Sequence, residues 1–226
     1  MPNTLLLWDI DGTLIDSSGA GKRALCDALR IVLGIEDTLE WLDFHGRTDV
    51  WITRQILRHH GLPETSADIG GVLNAYLERL DAAMVSEDTR VLPGAREIVE
   101  TVAAQPKIAQ GLLTGNLRRG AEGKLAPVGL WGFFPFGAFA DDSEFRNDLG
   151  PHAVRRASEH HGVPFAPERV FIIGDTPYDI ECGKAIGAQT IAVATGRHSL
   201  EELREHRPGA VFASLADAPA FFAAIG

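Results

Sequence analysis

Cysteine is nearly absent from this chain. Cys26 and Cys182 are the only two among 226 residues, and they stand far apart. That excludes a disulfide framework and leaves no cysteine pair with zinc-finger spacing, so both read as small buried side chains. Long apolar runs are missing too. The longest near the start, Leu5 to Trp8, is too short for a secretory or membrane-spanning segment, and Met-Pro-Asn-Thr before it has no basic start. The expected location is a reducing cytoplasm, away from membranes. Basic charge is also scarce, with 21 Lys and Arg against 31 Asp and Glu and a formal net charge of -10. An acidic chain without a basic tract is a poor nucleic-acid binder, although a small anionic ligand can still find a locally positive site.

Hydrophobic residues make up 45% of the chain, enough for a packed core. Thr4–Trp8 is an apolar stretch that stops abruptly at Asp9, the pattern of a strand buried on both faces. Similar runs recur at Ala109–Leu113, Val170–Ile173 and Thr190–Val193, with weaker ones at Ala138–Ala140 and Val211–Phe212. Helical patterns separate them at Gly94–Gln105, Arg118–Leu125, Pro151–His161 and Tyr178–Ile186, and a last one spans Leu215–Ala224. The alternation predicts an α/β fold, a doubly wound, Rossmann-like parallel sheet. Between Ser17 and Val91 only helical periodicity appears, including Thr48–His60 and Ser66–Ser86. The expected organisation is therefore a core of residues 1–16 and 92–226 with a helical cap domain, 17–91, inserted into it.

In open α/β sheets ligands bind beyond the carboxyl ends of the strands. Three expected strands end in polar residues there: Asp9-Ile10-Asp11-Gly12-Thr13, Thr114-Gly115-Asn116, and Gly174-Asp175-Thr176-Pro177-Tyr178-Asp179. A lone Asp in such a place is as readily a turn former or a helix cap. Clustered carboxylates repel one another and call for a cation, and hard oxygen donors suit Mg²⁺.

Asp9 to Ser17 resembles the first signature of the haloacid dehalogenase superfamily, in its phosphatase branch. Leu113-Thr114-Gly115-Asn116 is similar to the second signature, and Gly174 to Pro177 with Asp179 to the fourth. The resemblance implies that Asp9 is a nucleophile forming an aspartyl-phosphate and Asp11 the general acid and base. It implies Mg²⁺ held by Asp9, the Asp11 carbonyl and Asp175, with Asp179 holding a metal-bound water or orienting Asp175. Thr114, Gly115 and Asn116 would bind the phosphate, Gly12 would shape its loop, and Thr13 would shape the turn. The substrate would be a small phosphorylated metabolite such as phosphoglycolate.

One signature departs from the pattern. Where the family places a Lys before the helix after its third strand, this chain reads Phe145-Arg146-Asn147-Asp148-Leu149-Gly150-Pro151. Arg146 is the candidate substitute and Lys124 the runner-up, although its place on an expected helix reads as that of a solvated side chain. In the helical block, His45-Gly46-Arg47-Thr48-Asp49 offers Arg47 as a group reaching the substrate, or else Thr48 or Asp49 as a helix cap beside a solvated Arg47.

Other readings stay open. A dehalogenase would not need Asp11, so the presence of that residue argues against one. A sugar-phosphate mutase keeps both aspartates, and a non-catalytic phosphate-binding regulator is suggested by the missing Lys. Ser18-Gly19-Ala20-Gly21-Lys22 fails as a nucleotide-binding P-loop, because Asp16 stands where its first Gly belongs and Arg23 where Ser or Thr is needed. The neighbouring pairs His59-His60 and His160-His161 read as solvated helix ends. Nothing in the sequence sets the oligomeric state.

Overall fold

An apolar strand without alternation needs cover on both sides. A computed structural model, which describes residues 1–86 and 89–226, shows where that cover comes from. The strands, in chain order, are β1 (Thr4–Trp8), β2 (Ile15–Asp16), β3 (Arg90–Val91), β4 (Ile108–Leu113), β5 (Gly137–Ala138), β6 (Val170–Gly174), β7 (Gln189–Val193) and β8 (Ala210–Phe212). Six of them form one sheet in the order β5-β4-β1-β6-β7-β8, and every pairing in it is parallel. The helices are α1 (Ala20–Leu33), α2 (Asp49–His59), α3 (Ser66–Ser86), α4 (Ala95–Ala103), α5 (Arg118–Leu125), α6 (Arg146–His161), α7 (Pro177–Ala185), α8 (Leu200–Glu205) and α9 (Ala218–Ile225). None of the described helices is long and apolar enough to cross a membrane.

Alternate residues of β1 serve opposite faces, as the strand's two-residue period requires. Leu6 and Trp8 pack with Ile98 and Val99 of α4, Leu125 of α5 and Phe221 of α9. Leu5 and Leu7 pack with Leu149 and Ala153 of α6 and Cys182 of α7. A third apolar cluster lies largely apart from the sheet. It is built from Leu25 and Leu29 of α1, Ile52 and Ile56 of α2, and Val72, Leu73 and Leu80 of α3. The chain enters and leaves this helical block through a short antiparallel ribbon, in which Ile15 of β2 faces Val91 of β3.

Strand β1 lies between β4 and β6, and the chain winds outward from it in both directions. This is the topological switch point at which such sheets open a crevice. The register brings the strand ends level: Trp8 sits beside Leu112 and Ile173, and the Asp9 N–H donates to the Ile173 carbonyl at 2.9 Å.

Several elements differ from the sequence expectation. Helix α6 begins at Arg146 rather than Pro151; proline is accepted inside it at the loss of one backbone bond. The β2–β3 ribbon and the six-residue α8 are too short to show a period, and α8 is marked only by the capping box of Ser199 and Glu202. The histidine pairs are engaged rather than merely solvated. His59 stacks on Trp41, His60 meets Asp37 at 2.9 Å, and the 160–161 pair packs near Phe136.

Trp8 is fully buried and stacked on Phe221 with ring centroids 5.6 Å apart, while its indole N–H has no acceptor among the described residues. Trp8→Ala should therefore cost about 3–5 kcal/mol in urea denaturation. Trp8→Phe, which keeps a ring and discards an unpaired donor, should retain most of the stability.

Candidate active site

Asp9 is the first residue beyond β1, and only about 5% of its surface is exposed. Ile10 turns into the core, so Asp9 and Asp11 emerge on the same side of the sheet edge. The Ile10 carbonyl accepts the N–H groups of Thr13, Leu14 and Ile15, which folds the segment into a tight turn with Gly12 at a φ of 80°. Asp175 follows β6. Glycines 12 and 196 flank its carboxylate so closely that a Cβ at either would overlap it. Thr13, fully buried, donates to Asp175 Oδ1 at 3.4 Å, so it orients that carboxylate as well as shaping the turn.

Asp179 is locked. Its Oδ2 accepts the Thr176 N–H at 3.0 Å and the Thr176 hydroxyl at 2.7 Å, and its Oδ1 takes Arg146. Carboxylate oxygens of Asp9, Asp175 and Asp179 all lie within 4.8 Å of one another. These hard donors fit a divalent cation such as Mg²⁺. With its oxygens already committed, Asp179 supports the group more readily than it ligates.

Arg146, at the start of α6, is the cation of this cluster. Its Nη2 lies 3.0 Å from Asp9 Oδ1 and also bonds Asp179, and the residue is about 7% exposed. The Phe145–Pro151 segment, which has no Lys, thus brings a guanidinium to Asp9. Burial pushes Asp9 up to about 6, partly offset by Arg146. Burial, with Asp9 and Asp179 as neighbours, raises Asp175 well above the usual carboxylate range.

Lys124 overturns the sequence expectation. It is buried, not solvated. Its Nζ donates to Asp11 Oδ2 at 2.7 Å and to Asn116 Oδ1 at 2.6 Å. Burial would raise Asp11, but Lys124, Asn116 and Ser17 outweigh it and hold the carboxyl below its ordinary range. The sequence did carry a signal. Leu117, Gly120, Ala121, Lys124 and Leu125 are the buried positions around α5, and Lys124 occupies a place in that helical stripe.

Beyond β4, the Thr114 hydroxyl accepts the Asn116 amide at 2.8 Å. Leu117 is the N-cap residue of α5, whose first N–H goes to Asp141. Gly115 is needed for a close approach by protein: a Cβ there would collide with the Arg47 carbonyl. The helical block docks at this point. The Asp49 N–H donates to the Gly115 carbonyl at 2.8 Å, Asp49 Oδ2 accepts the Leu117 N–H at 2.8 Å, and the Thr48 hydroxyl donates to the Glu144 carbonyl at 2.6 Å. Thr48 also caps α2 by accepting the Trp51 N–H. Arg47 is partly buried and paired. Its guanidinium lies between the rings of Trp51 and Tyr178, 4.3 and 4.0 Å from their centroids, and donates to the Tyr178 hydroxyl.

These groups line a cavity of about 790 Å³ between the sheet edge and the helical block. Asp9, Asp11, Thr114, Lys124, Arg146 and Asp175 form its polar floor, and Leu25, Leu42, Phe44 and Leu73 contribute apolar wall.

The family model for haloacid dehalogenase-like hydrolases matches residues 6–193. The chain belongs to the haloacid dehalogenase-like hydrolases. It is 27% identical over 220 residues to a phosphoglycolate phosphatase of Pseudomonas syringae pv. tomato, covering 93% of this chain and 76% of that one. The fold is similar to that of a hydrolase from Pseudomonas syringae, with a TM-score of 0.76, 19% identity and 99% of each chain covered. It is also similar to CbbY from Rhodobacter sphaeroides, solved in complex with phosphate, with a TM-score of 0.75, 21% identity and 96% of each chain covered.

In this hydrolase the sequence reading gathered most of the floor and missed Lys124 and Asp49. Asp49 lies near Lys124 and Asp11, and burial pushes it up to about 6 against the pull of Lys124. The raised carboxylates give a signed pH effect. A folded-state pKa above the unfolded one means that the folded protein holds its proton more tightly, so stability is lost as pH rises through the window between the two values. For Asp9 that window runs from about 4 to 6. Without metal, Asp9→Asn should therefore gain stability relative to the wild type as pH rises from 4 to 6.5, read by thermal melts in EDTA. Because carboxylates must shed protons to take a metal, an added divalent cation that binds this cluster should raise the wild-type melting temperature more at pH 7.5 than at pH 5.5.

Proposed function

We propose that this hydrolase is a Mg²⁺-dependent phosphatase that cleaves a small phosphomonoester through an aspartyl-phosphate on Asp9. The observation that carries the reading is the pairing of Asp9 and Asp11 on the cavity floor, with Arg146 against Asp9 and Asp175 beside it. A nucleophilic carboxylate meets an anionic substrate only if the repulsion is offset, and the buried guanidinium does part of that. Asp9, Asp175 and the Asp11 carbonyl would hold Mg²⁺, which when bound offsets negative charge as a Lewis acid. Residues 17–91 are, in this reading, a cap that shields the intermediate from water.

The step at phosphorus follows from the two carboxyls. An Asp9 oxygen attacks, the bond from phosphorus to the leaving oxygen breaks, and Asp11 supplies a proton to that oxygen. A water then attacks the aspartyl-phosphate and gives its proton to Asp11, which frees phosphate and restores Asp9. Thr114, Gly115 and Asn116 are the reading's phosphate-binding groups. Arg47, clamped between Trp51 and Tyr178, ties the cap to α7 beside the cavity. Phosphoglycolate is the first substrate to try, on the strength of the relative's activity.

Wild-type protein should release phosphate from an aryl phosphate with Mg²⁺ and lose that turnover in EDTA, and Asp9→Asn should fall to the no-enzyme blank. Turnover that survives in Asp9→Asn would sink the mechanism. Release of an isomerised sugar phosphate instead of phosphate would mark a mutase. Arg146→Ala should lower kcat by about 10²- to 10³-fold; near-normal rates would remove Arg146 from the machinery. A panel of phosphomonoesters without preference for phosphoglycolate would retire that substrate.

A further inference from the structure

A lysine inside a fold is costly unless its ammonium is fully paired, so the burial of Lys124 calls for a reason. Its helix supplies the placement. Gly120 of α5 faces Leu77 and Leu80 of α3, at distances where a Cβ would just touch them, so the two helices pack closely one turn before Lys124. The lysine side chain, 6% exposed, then points to the cavity floor, where its Nζ meets Asp11 and Asn116.

Those contacts divide the two oxygens of Asp11. Oδ2 accepts Lys124 at 2.7 Å and the Asn116 amide at 2.9 Å. Among the described residues Oδ1 accepts only the Ser17 hydroxyl, at a long 3.3 Å, and the side chain is 40% exposed toward the cavity. The Asn116 amide is itself fixed. It donates to Thr114 Oγ and to Asp11 while its oxygen accepts Lys124, which permits one orientation only. Arg146, by contrast, serves Asp9 and Asp179 and makes no bond to Asp11.

We propose that Lys124 is a positioning residue: with Asn116 it pins Asp11 through Oδ2 and leaves Oδ1 aimed into the cavity as the oxygen that serves the leaving group. This rests on the phosphatase reading of the site. Lys124 acts through Asp11, not on phosphorus, so its loss is felt where proton delivery matters. An aryl leaving group such as p-nitrophenolate departs with little need of a proton. An alkoxide needs one, and a placed general acid contributes about 10²- to 10⁴-fold.

The test is kcat/KM for a series of aryl and alkyl phosphomonoesters ordered by leaving-group pKa, in the wild type and in Lys124→Met, with folding checked by circular dichroism. The expected result is a loss of less than about tenfold for p-nitrophenyl phosphate that grows beyond about 100-fold for alkyl phosphates. An equal loss across the series, or none, overturns the proposal. Added to Asp11→Asn, Lys124→Met should cost nothing further on the alkyl esters, since both act through one group; additive losses overturn it as well. Should Lys124→Met not fold, Asn116→Ala, which removes the other donor to Oδ2, must show the same steepening, and a flat series there counts against the proposal. A wild type without metal-dependent phosphate release from any ester fails the phosphatase reading itself. An active wild type with a flat variant series fails only the role of Lys124.

Discussion

Carboxylates crowded at the end of a buried sheet repel one another and lose the water that would solvate them, and much of this molecule is arranged around that cost. Asp9, Asp175 and Asp179 share one small volume, with Asp11 two residues beyond Asp9. Desolvation alone would leave them protonated and useless as anionic donors. Two cations from different helices hold the cluster together: Arg146 from α6 on Asp9 and Asp179, and Lys124 from α5 on Asp11. Each helix therefore has a duty beyond covering the sheet. The early start of α6, a full turn before its proline, is what brings Arg146 to the floor.

The same economy governs the helical block. Its own apolar cluster packs α1, α2 and α3 together and takes in Leu117 and Ala140 beside the sheet edge, and specific polar bonds join it to the core as well. Asp49, Thr48 and Arg47 sit at consecutive positions before and at the start of α2, and each bonds a different element of the core: the loop after β4, the residue before Phe145, and α7. Gly115 permits the contact by having no side chain. A segment that reads as a possible substrate contact is, in this geometry, also the point where the helical block bonds to the core.

What could be read from the sequence follows from how each signal is encoded. The central strands were legible because burial on both faces forces unbroken apolar runs, and the aspartates because they end those runs abruptly. The departures are local and physical. A two-residue ribbon has no period to detect. Thr13 reads as a turn former, and only the meeting of β1 and β6 brings it to Asp175. Lys124 was the larger miss: lysine is so seldom buried that residue type outweighed position, although its place in the α5 stripe pointed inward. A charged residue on a buried stripe, with carboxylates expected at the neighbouring strand end, is better read as half of a pair.

A guanidinium suits the place that Arg146 occupies. An ammonium is a compact point charge, whereas a guanidinium presents several N–H groups in one plane and keeps its charge even when buried. At this position that matters, because the group must serve two carboxylates from different elements at once, Asp9 just beyond β1 and Asp179 in the first turn of α7. Desolvation works against any buried cation, yet the two anions more than reverse it and push the Arg146 pKa upward. With Asp9 held by a cation that does not titrate, the lysine of the site is free to serve the second carboxylate, and the two aspartates of the first signature are given separate electrostatic surroundings although only one residue lies between them.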